Sequence, residues 1–242
     1  MNKIWLIARR ELGAYFTTWM GYIIVCFALL LDGVFFNVYA IGDEAKLSSE
    51  VLRDFFFISS GIGMVAAVFL AMRLLAEEKQ TGTIVLFYTS PLSERQLVYG
   101  KFLSAFVMFL ILQVLSIYLP SLIFLEGKVS LGHMAAGYLG VTLLGAGVLA
   151  ISLFASVISP NQLIAGITAA AFTVFFLVMW LLSYRVDEPF REIFSYMSIH
   201  NQRFSPFMNG ILHTRDVVYY ASLIFFFLEC SIKSLETRRL QG

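Results

Sequence analysis

Residues 21–36 read GYIIVCFALLLDGVFF, and this run decides the class of fold. A helix needs about 20 predominantly apolar residues to cross a bilayer core. With its flanks, this run reaches that length over residues 18–40, interrupted by one carboxylate, Asp32. Working outward, five more runs qualify: 55–75, 102–125, 133–158, 162–184 and 217–234. The fourth and fifth are separated only by Ser159-Pro160-Asn161-Gln162, whose proline and polar neighbours predict a tight turn. The expected fold is an all-α integral membrane protein of six transmembrane helices, a single domain over residues 1–242.

Composition agrees. The chain is 59% hydrophobic and 14% charged, with mean hydropathy +0.81. Soluble domains carry about 25% charged residues, so this surface is too poor in charge for water. A net charge of +1 provides no basic field for nucleic acid. Cys26 and Cys230 both lie in apolar runs and read as neither a disulfide framework nor a metal site. The N-terminal charges Lys3, Arg9, Arg10 and Glu11, with no small-residue cleavage site behind a short apolar core, do not read as a cleavable leader.

Lysine and arginine bias orients such a protein. With the N-terminus inside, the inner segments hold Lys3, Arg9, Arg10, Arg73, Lys79, Arg95, Lys101, Lys233, Arg238 and Arg239. The outer segments hold Lys46, Arg53, Lys128, Arg185, Arg191, Arg203 and Arg215. The larger set inside favours both termini in the cytoplasm. Residues 2–17 then read as an amphipathic helix on the inner membrane surface. Ile4, Ile7, Ala8 and Leu12 fall near one face, with Trp5 and Trp19 suited to the lipid interface. Gly63, Ala67 and Ala71, and likewise Ala165, Ala169 and Thr173, place small residues at four-residue spacing. That spacing allows close helix approach, either within the bundle or against a second subunit.

Several chemistries find no motif. G-x-x-x-x-G-K-[ST], H-E-x-x-H and G-x-S-x-G do not occur. His133, His200 and His213 lack metal-ligand spacing. The expectation is a protein that is not itself an enzyme, with no catalytic residue, no metal and no directly bound cofactor. Buried polar residues are the remaining signal. Asp32, with Asn37 and Gln113, forms a candidate translocation path, since an intramembrane carboxylate is costly and often functional. The other readings of Asp32 are pairing with a neighbouring helix or simple protonation. Gln113 also fits an interhelical hydrogen bond. Glu229 is expected to pair with Lys233 one turn on.

The charged stretch between the second and third runs, residues 77–102, reads EEKQTGTIVLFYTSPLSERQLVYGKF. Gly82 and Pro91 predict turns, and Ser93 is a candidate N-cap for the third span. TIVLFYT is apolar but too short to cross. Such a knob at the inner face suits a groove on a cytoplasmic protein, with Glu77 and Glu78 meeting basic groups there.

Three stretches carry a resemblance: Glu77-Glu78-Lys79-Gln80-Thr81-Gly82-Thr83 with Thr89-Ser90-Pro91-Leu92-Ser93 and Gly100-Lys101-Phe102; the lead-in RRELGAYFTTWMGYII at 9–24; and GILHTRDVVYYASLIFFFLECSIKSLETRR at 210–239. Together they resemble type-2 ABC exporter permeases. More narrowly, they are similar to the permease subunit of gliding-motility-associated ABC transporters. The resemblance implies a bacterial inner-membrane permease half that pairs with an identical or related half. Two copies of a separate cytoplasmic ABC ATPase, which holds ATP and magnesium, would complete it. It also implies a coupling helix at about 74–92, within a coupling region 74–95 whose contact residues are Glu77, Glu78, Gly82, Thr83, Ile84, Leu86, Phe87 and Pro91. The family often has a second acidic residue just after Gly-Thr-Leu. Here Ile84 and Val85 stand at those positions, leaving either Glu77 and Glu78 alone as the acidic contacts or a different ATPase surface.

The resemblance further implies short outer helices in the extracytoplasmic loop 185–215. There Phe190, Phe194, Phe204 and Phe207 would sit at the membrane interface, sealing the exit or receiving a periplasmic partner. The leading expectation is export or flipping of a substrate driven by ATP. The alternative is a mechanotransmitter acting on an envelope partner with no substrate crossing. A third reading is a channel or scaffold independent of ATP.

Overall fold

A computed structural model describes residues 3–41, 46–84, 87, 92–125, 130–188 and 190–241. Helix α1 (Lys3–Thr17) leads into α2 (Trp19–Phe35), which ends in a π-helical turn, Phe36–Ile41. Then come α3 (Ser48–Ala71) and α4 (Arg73–Gln80), nearly continuous through Met72. Helix α5 (Glu94–Ser116) passes into α6 (Tyr118–Ser121) and a 3-10 turn, Leu122–Leu125. Helices α7 (Leu131–Ile158), α8 (Gln162–Ser183), the short α9 (Phe190–Met197) and α10 (Ser205–Met208), and α11 (Thr214–Gln241) complete the chain. No strand occurs among the described residues. Among the described residues six helical stretches have the length and apolarity to cross a membrane, as the sequence predicts. In lipid, only structures that satisfy their own backbone groups survive, and a helix does so locally.

Local chemistry sets the ends. Ser93 Oγ accepts from the Gln96 N–H and Gln96 Oε1 accepts from the Ser93 N–H, both at 3.3 Å, so the predicted N-cap is a full capping box. Asn161 Oδ1 accepts from the Ile164 N–H at 2.9 Å and starts α8 right after the predicted turn. Gly82 adopts φ +72°, the left-handed turn conformation that its place after a charged helix end predicts. Pro120 cannot donate to the Ser116 carbonyl, and α5 breaks there into α6.

Helix α7 is the buried centre, packed by α3, α8 and α11. Its glycines admit aromatic rings: a Cβ on Gly145 would collide with the Phe109 ring and one on Gly137 with Phe56. The two small-residue stripes are spent inside this chain. Gly63, Ala67, Ala71, Ala165, Ala169 and Thr173 are all buried, and Gly63 sits against Phe109 and Val141.

Several expectations change. The second span begins at Ser48, where Val51, Leu52 and Phe55 are buried and the Glu50 carboxylate accepts from the Leu47 N–H at 3.3 Å. The third begins at Glu94, because Leu97, Val98 and Gly100 pack under α1. The coupling helix does not run from 74 to 92 unbroken: α4 stops at Gln80, and a turn through Gly82 follows before helical backbone returns at Ile84 and Phe87. Phe204 and Phe207 do not face outward from the bundle. They are fully buried against α7 beside Gly140, because the outer loop folds back over the bundle; Phe190 alone of the four aromatics is exposed. Glu229 reaches across to Arg95 (3.8 Å) and accepts from the Tyr99 hydroxyl (3.4 Å) instead of pairing with Lys233. Cys26 and Cys230 are free thiols.

Candidate functional site

The end of α4 is held by two polar joints. The first is at the α3–α4 break. Ser156 Oγ of α7 donates to the Met72 carbonyl at 2.9 Å and accepts from the N–H groups of Leu75 (3.0 Å) and Ala76 (2.9 Å). One hydroxyl thereby satisfies backbone groups that the break exposes. One turn on, the Lys79 ammonium donates to the carbonyls of Val157 and Ser159, the latter at 3.0 Å, at the C-terminal end of α7. A cation there meets the negative end of the helix dipole.

The second joint is a charge cluster. Lys101 of α5 is wholly buried. Its ammonium lies 2.7 Å from Glu78 of α4 and 3.2 Å from Glu11 of α1. Arg10 reaches both carboxylates, Glu78 at 3.4 Å, and lies over the Phe87 ring at 5.1 Å. Burial pushes the Glu11 carboxyl up, but Lys101 and Arg10 beside it outweigh that and hold it below the ordinary carboxylate range. Two acids and two cations thus bind three elements together. Close by, α1 is pinned again: the Tyr15 hydroxyl donates to the Leu70 carbonyl at 2.6 Å, and the Arg73 guanidinium covers the Tyr15 ring at 5.0 Å.

The expected contact residues divide accordingly. Glu77, Thr81, Gly82 and Thr83 are exposed, and Glu77 pairs with Arg73 at 3.1 Å along its own helix. Glu78 is turned inward into the cluster. Ile84 and Phe87 are half-buried and line a small groove with Leu92, Leu97 and Leu235 near the end of α11. Leu86 and Pro91 lie outside the described residues. Helix α1, the α4 end and the end of α11 therefore share one side of the molecule. Lys79, Lys101, Arg10 and Ser156 do most of the holding, and the sequence reading assigned them no such place. Their only sequence signal is polar character at the margins of apolar runs.

The expected translocation residues separate. Asp32 and Gln113 are buried, whereas Asn37 is exposed on the π-helical turn and does not join them. Among the described residues three larger grooves flank α3: about 400 Å³ against α2, lined by Met20, Phe27, Val65 and Phe69, about 640 Å³ against α8, and about 610 Å³ by the π-helical turn, lined by Phe35, Tyr39 and Phe57. None of the three linings includes Asp32, Asn37 or Gln113.

On the other side, Arg203 and Asp216 form a buried pair at 3.0 Å, with the guanidinium between the Tyr196 (4.4 Å) and Tyr219 (4.9 Å) rings. His200 shares a 2.8 Å hydrogen bond with Ser60 of α3. Burial holds the His200 imidazole below its ordinary value, against the opposing bond to Asn201.

A search of curated proteins returns no match. A family model described as "ABC-2 family transporter protein" matches residues 7–211, which takes in α1, the α4 end, the charge cluster and the bundle through α10. With most of its length matched and six membrane-crossing helices around a buried centre, the chain belongs to the ABC-2 family of transporter proteins.

Proposed function

We propose that the chain is the membrane permease of a bacterial ABC exporter, driven by a separate cytoplasmic ABC ATPase that docks on the exposed rim around Glu77, Gln80, Thr81, Gly82 and Thr83. The observation that carries this reading is the anchoring of that rim. Glu78 on Lys101 and Lys79 on the α7 carbonyls join it rigidly to α1, α5 and α7. A push on the rim reaches three membrane elements without being absorbed in a loop. The ATP and magnesium belong to the partner, in keeping with a chain that has no phosphate-loop motif.

Two ATPase copies and a second permease half, identical or related, complete the working unit in this reading. In this reading the even number of spans puts both termini on the rim side, and the excess of lysine and arginine there supports taking that side as the cytoplasmic face of a bacterial inner membrane. The resemblance of residues 9–24 and 210–239 supports the narrower gliding-motility-associated subtype.

The test is co-purification from native membranes in mild detergent, with Glu77→Lys and Glu78→Lys as separate variants. An ATPase carrying a phosphate loop copurifies with the native chain. Glu77→Lys weakens its capture while the permease stays folded. Glu78→Lys also loosens α1, because it sets like charges against Lys101 and Arg10. If no ATPase is captured even after cross-linking, an ATP-independent channel or scaffold is the better account.

A further inference from the structure

A furrow with a charged head runs along α3 beside α2. Its head is the groove of about 610 Å³ at the end of the bundle opposite the rim, where Lys46 and Asp54 join Phe35, Tyr39 and Phe57 in the lining. Gly61 and Ile62 line both this groove and the one of about 400 Å³ against α2, so the two meet there. Every residue lining the second groove is apolar, Ile23, Phe27 and Leu31 coming from α2 and Val65 and Phe69 from α3. From Asp54 to Val65 the helix rises about 16 Å, roughly half the thickness of a bilayer core.

The head is built from ions. The Lys46 ammonium donates to the Tyr39 carbonyl at 2.6 Å, in the π-helical turn, and lies 3.2 Å from the Asp54 carboxylate. The exposed Arg53 guanidinium reaches the same carboxylate at 3.5 Å. Two cations thus share one carboxylate, which leaves the group positive. Glu50, in the first turn of α3, has its carboxylate on the Leu47 N–H at 3.3 Å. An anion completes the group, and phosphate oxygens suit lysine and arginine donors. Gly61 is a second observation. A glycine inside a helix is destabilising relative to alanine, and the close approach of a neighbour is a common reason to keep one. A Cβ on Gly61 would meet no atom of this chain within 4 Å. The space beside it is therefore not taken up by the chain's own packing.

We propose that this furrow binds one phospholipid from the leaflet on that side, its phosphate on Lys46 and Arg53 and one acyl chain laid past Gly61 against Phe27, Val65 and Phe69. The positive head meets the phosphate, and the apolar stretch has the depth of one leaflet. Tyr39 stands at the head, where amphipathic rings gather at a membrane interface. The site goes beyond the ATP-driven reading, and it stands or falls independently of any ATPase. Because α2 forms one wall and α3 the other, the lipid fills a gap that the chain's own side chains leave between them.

The experiment uses the full chain purified in mild detergent, native and with Gly61→Leu or Lys46→Gln. Native mass spectrometry reads bound lipid and oligomer mass while the delipidated chain is titrated with dioleoyl phosphatidylglycerol, and separately with dioleoylglycerol, which has the same tails and no phosphate. The native chain should take up one phospholipid per protomer, about tenfold more tightly than the diacylglycerol. Gly61→Leu, which puts a side chain into the furrow, should weaken both ligands by a similar factor. Lys46→Gln should narrow the preference for phosphate and leave diacylglycerol binding unchanged. Equal binding of the two lipids by the native chain, or native-like phospholipid binding by Gly61→Leu, overturns the site. So does a dimer mass that Gly61→Leu abolishes in a chain that takes up no phospholipid, because the furrow then belongs to a second copy. Should either variant fail to fold, Arg53→Gln at an exposed side chain carries the test, and phospholipid binding as tight as that of the native chain overturns the site.

Discussion

At the scale of single residues, Lys101 is the most consequential cation. It is buried between Glu78 and Glu11, so its loss leaves two carboxylates out of water with only Arg10 as partner. Breaking one side of a buried ion pair costs roughly 3–5 kcal/mol. Lys101→Met should therefore lower the thermal midpoint of the detergent-purified chain far more than Lys3→Met at the exposed start of α1. The cluster also sets a pH response. The Glu11 carboxyl is held below its ordinary range, so it contributes stability that is present above the unfolded value of about 4.3 and is lost as pH falls through the folded value. The Glu11 share of the response is read as the difference between the native chain and Glu11→Gln, whose proteolytic release of α1 should change less as the medium is acidified below about pH 4.3. Lys101→Met should abolish that acid sensitivity or reverse its sign, since Lys101 is the strongest of the influences that depress Glu11.

At the scale of elements, two devices define the ends of the bundle. On the rim side, Gly82 turns the chain after α4 at φ +72°. A left-handed conformation costs a residue with a Cβ roughly 1–2 kcal/mol. Gly82→Val should leave the six spans intact by circular dichroism while weakening ATPase capture several-fold; unchanged capture would remove the turn from the docking rim. On the opposite side, Arg203 and Asp216 clamp the α9–α10 segment to α11, with Tyr196 and Tyr219 over the guanidinium.

Arg203→Met leaves the buried Asp216 with only the exposed Arg215, 3.8 Å away. It should expose the outer segment to proteolysis at a cost of about 3–5 kcal/mol. His200 adds a pH dependence to the same segment. Its imidazole is held neutral by burial, so its contribution is full above the unfolded value of about 6.5 and is lost as pH falls below it. Amide exchange over residues 198–204 should quicken between pH 7 and pH 5.5, and His200→Gln should flatten the profile.

At the scale of the whole molecule, the six spans separate a rim side from a capped side. In a chain with Cys26 and Cys230 replaced by alanine, a cysteine at Ser93 should react with impermeant thiol reagent only in inside-out vesicles. One at Asn209 should react only in right-side-out vesicles. The same pattern at both positions would sink the six-span topology. The bundle is organised around α7, whose glycines admit Phe56 and Phe109 and whose C-terminal carbonyls receive Lys79. The rim and the centre thus meet on one helix. Motion of α4 is expected to reach the membrane interior chiefly through it.

Much of this was legible without coordinates. The six spans, the all-α class, the turn at 159–162, the Ser93 cap and the Gly82 turn follow from hydropathy and backbone preference. These are properties of a few neighbouring residues and the lipid or water around them. What the sequence could not decide is which side chains meet. Lys101 reads as a polar flank of a span until Glu11 and Glu78 close around it. Glu78 reads as an exposed contact until it turns inward. Phe204 and Phe207 read as interfacial until the loop folds them onto Gly140, and Asp32 and Asn37 read as one path until the helix rotation separates them. Each outcome depends on groups distant along the chain that only packing brings within a few ångströms. At that range charge pairing, desolvation and ring contact outweigh the local preference of the residue itself.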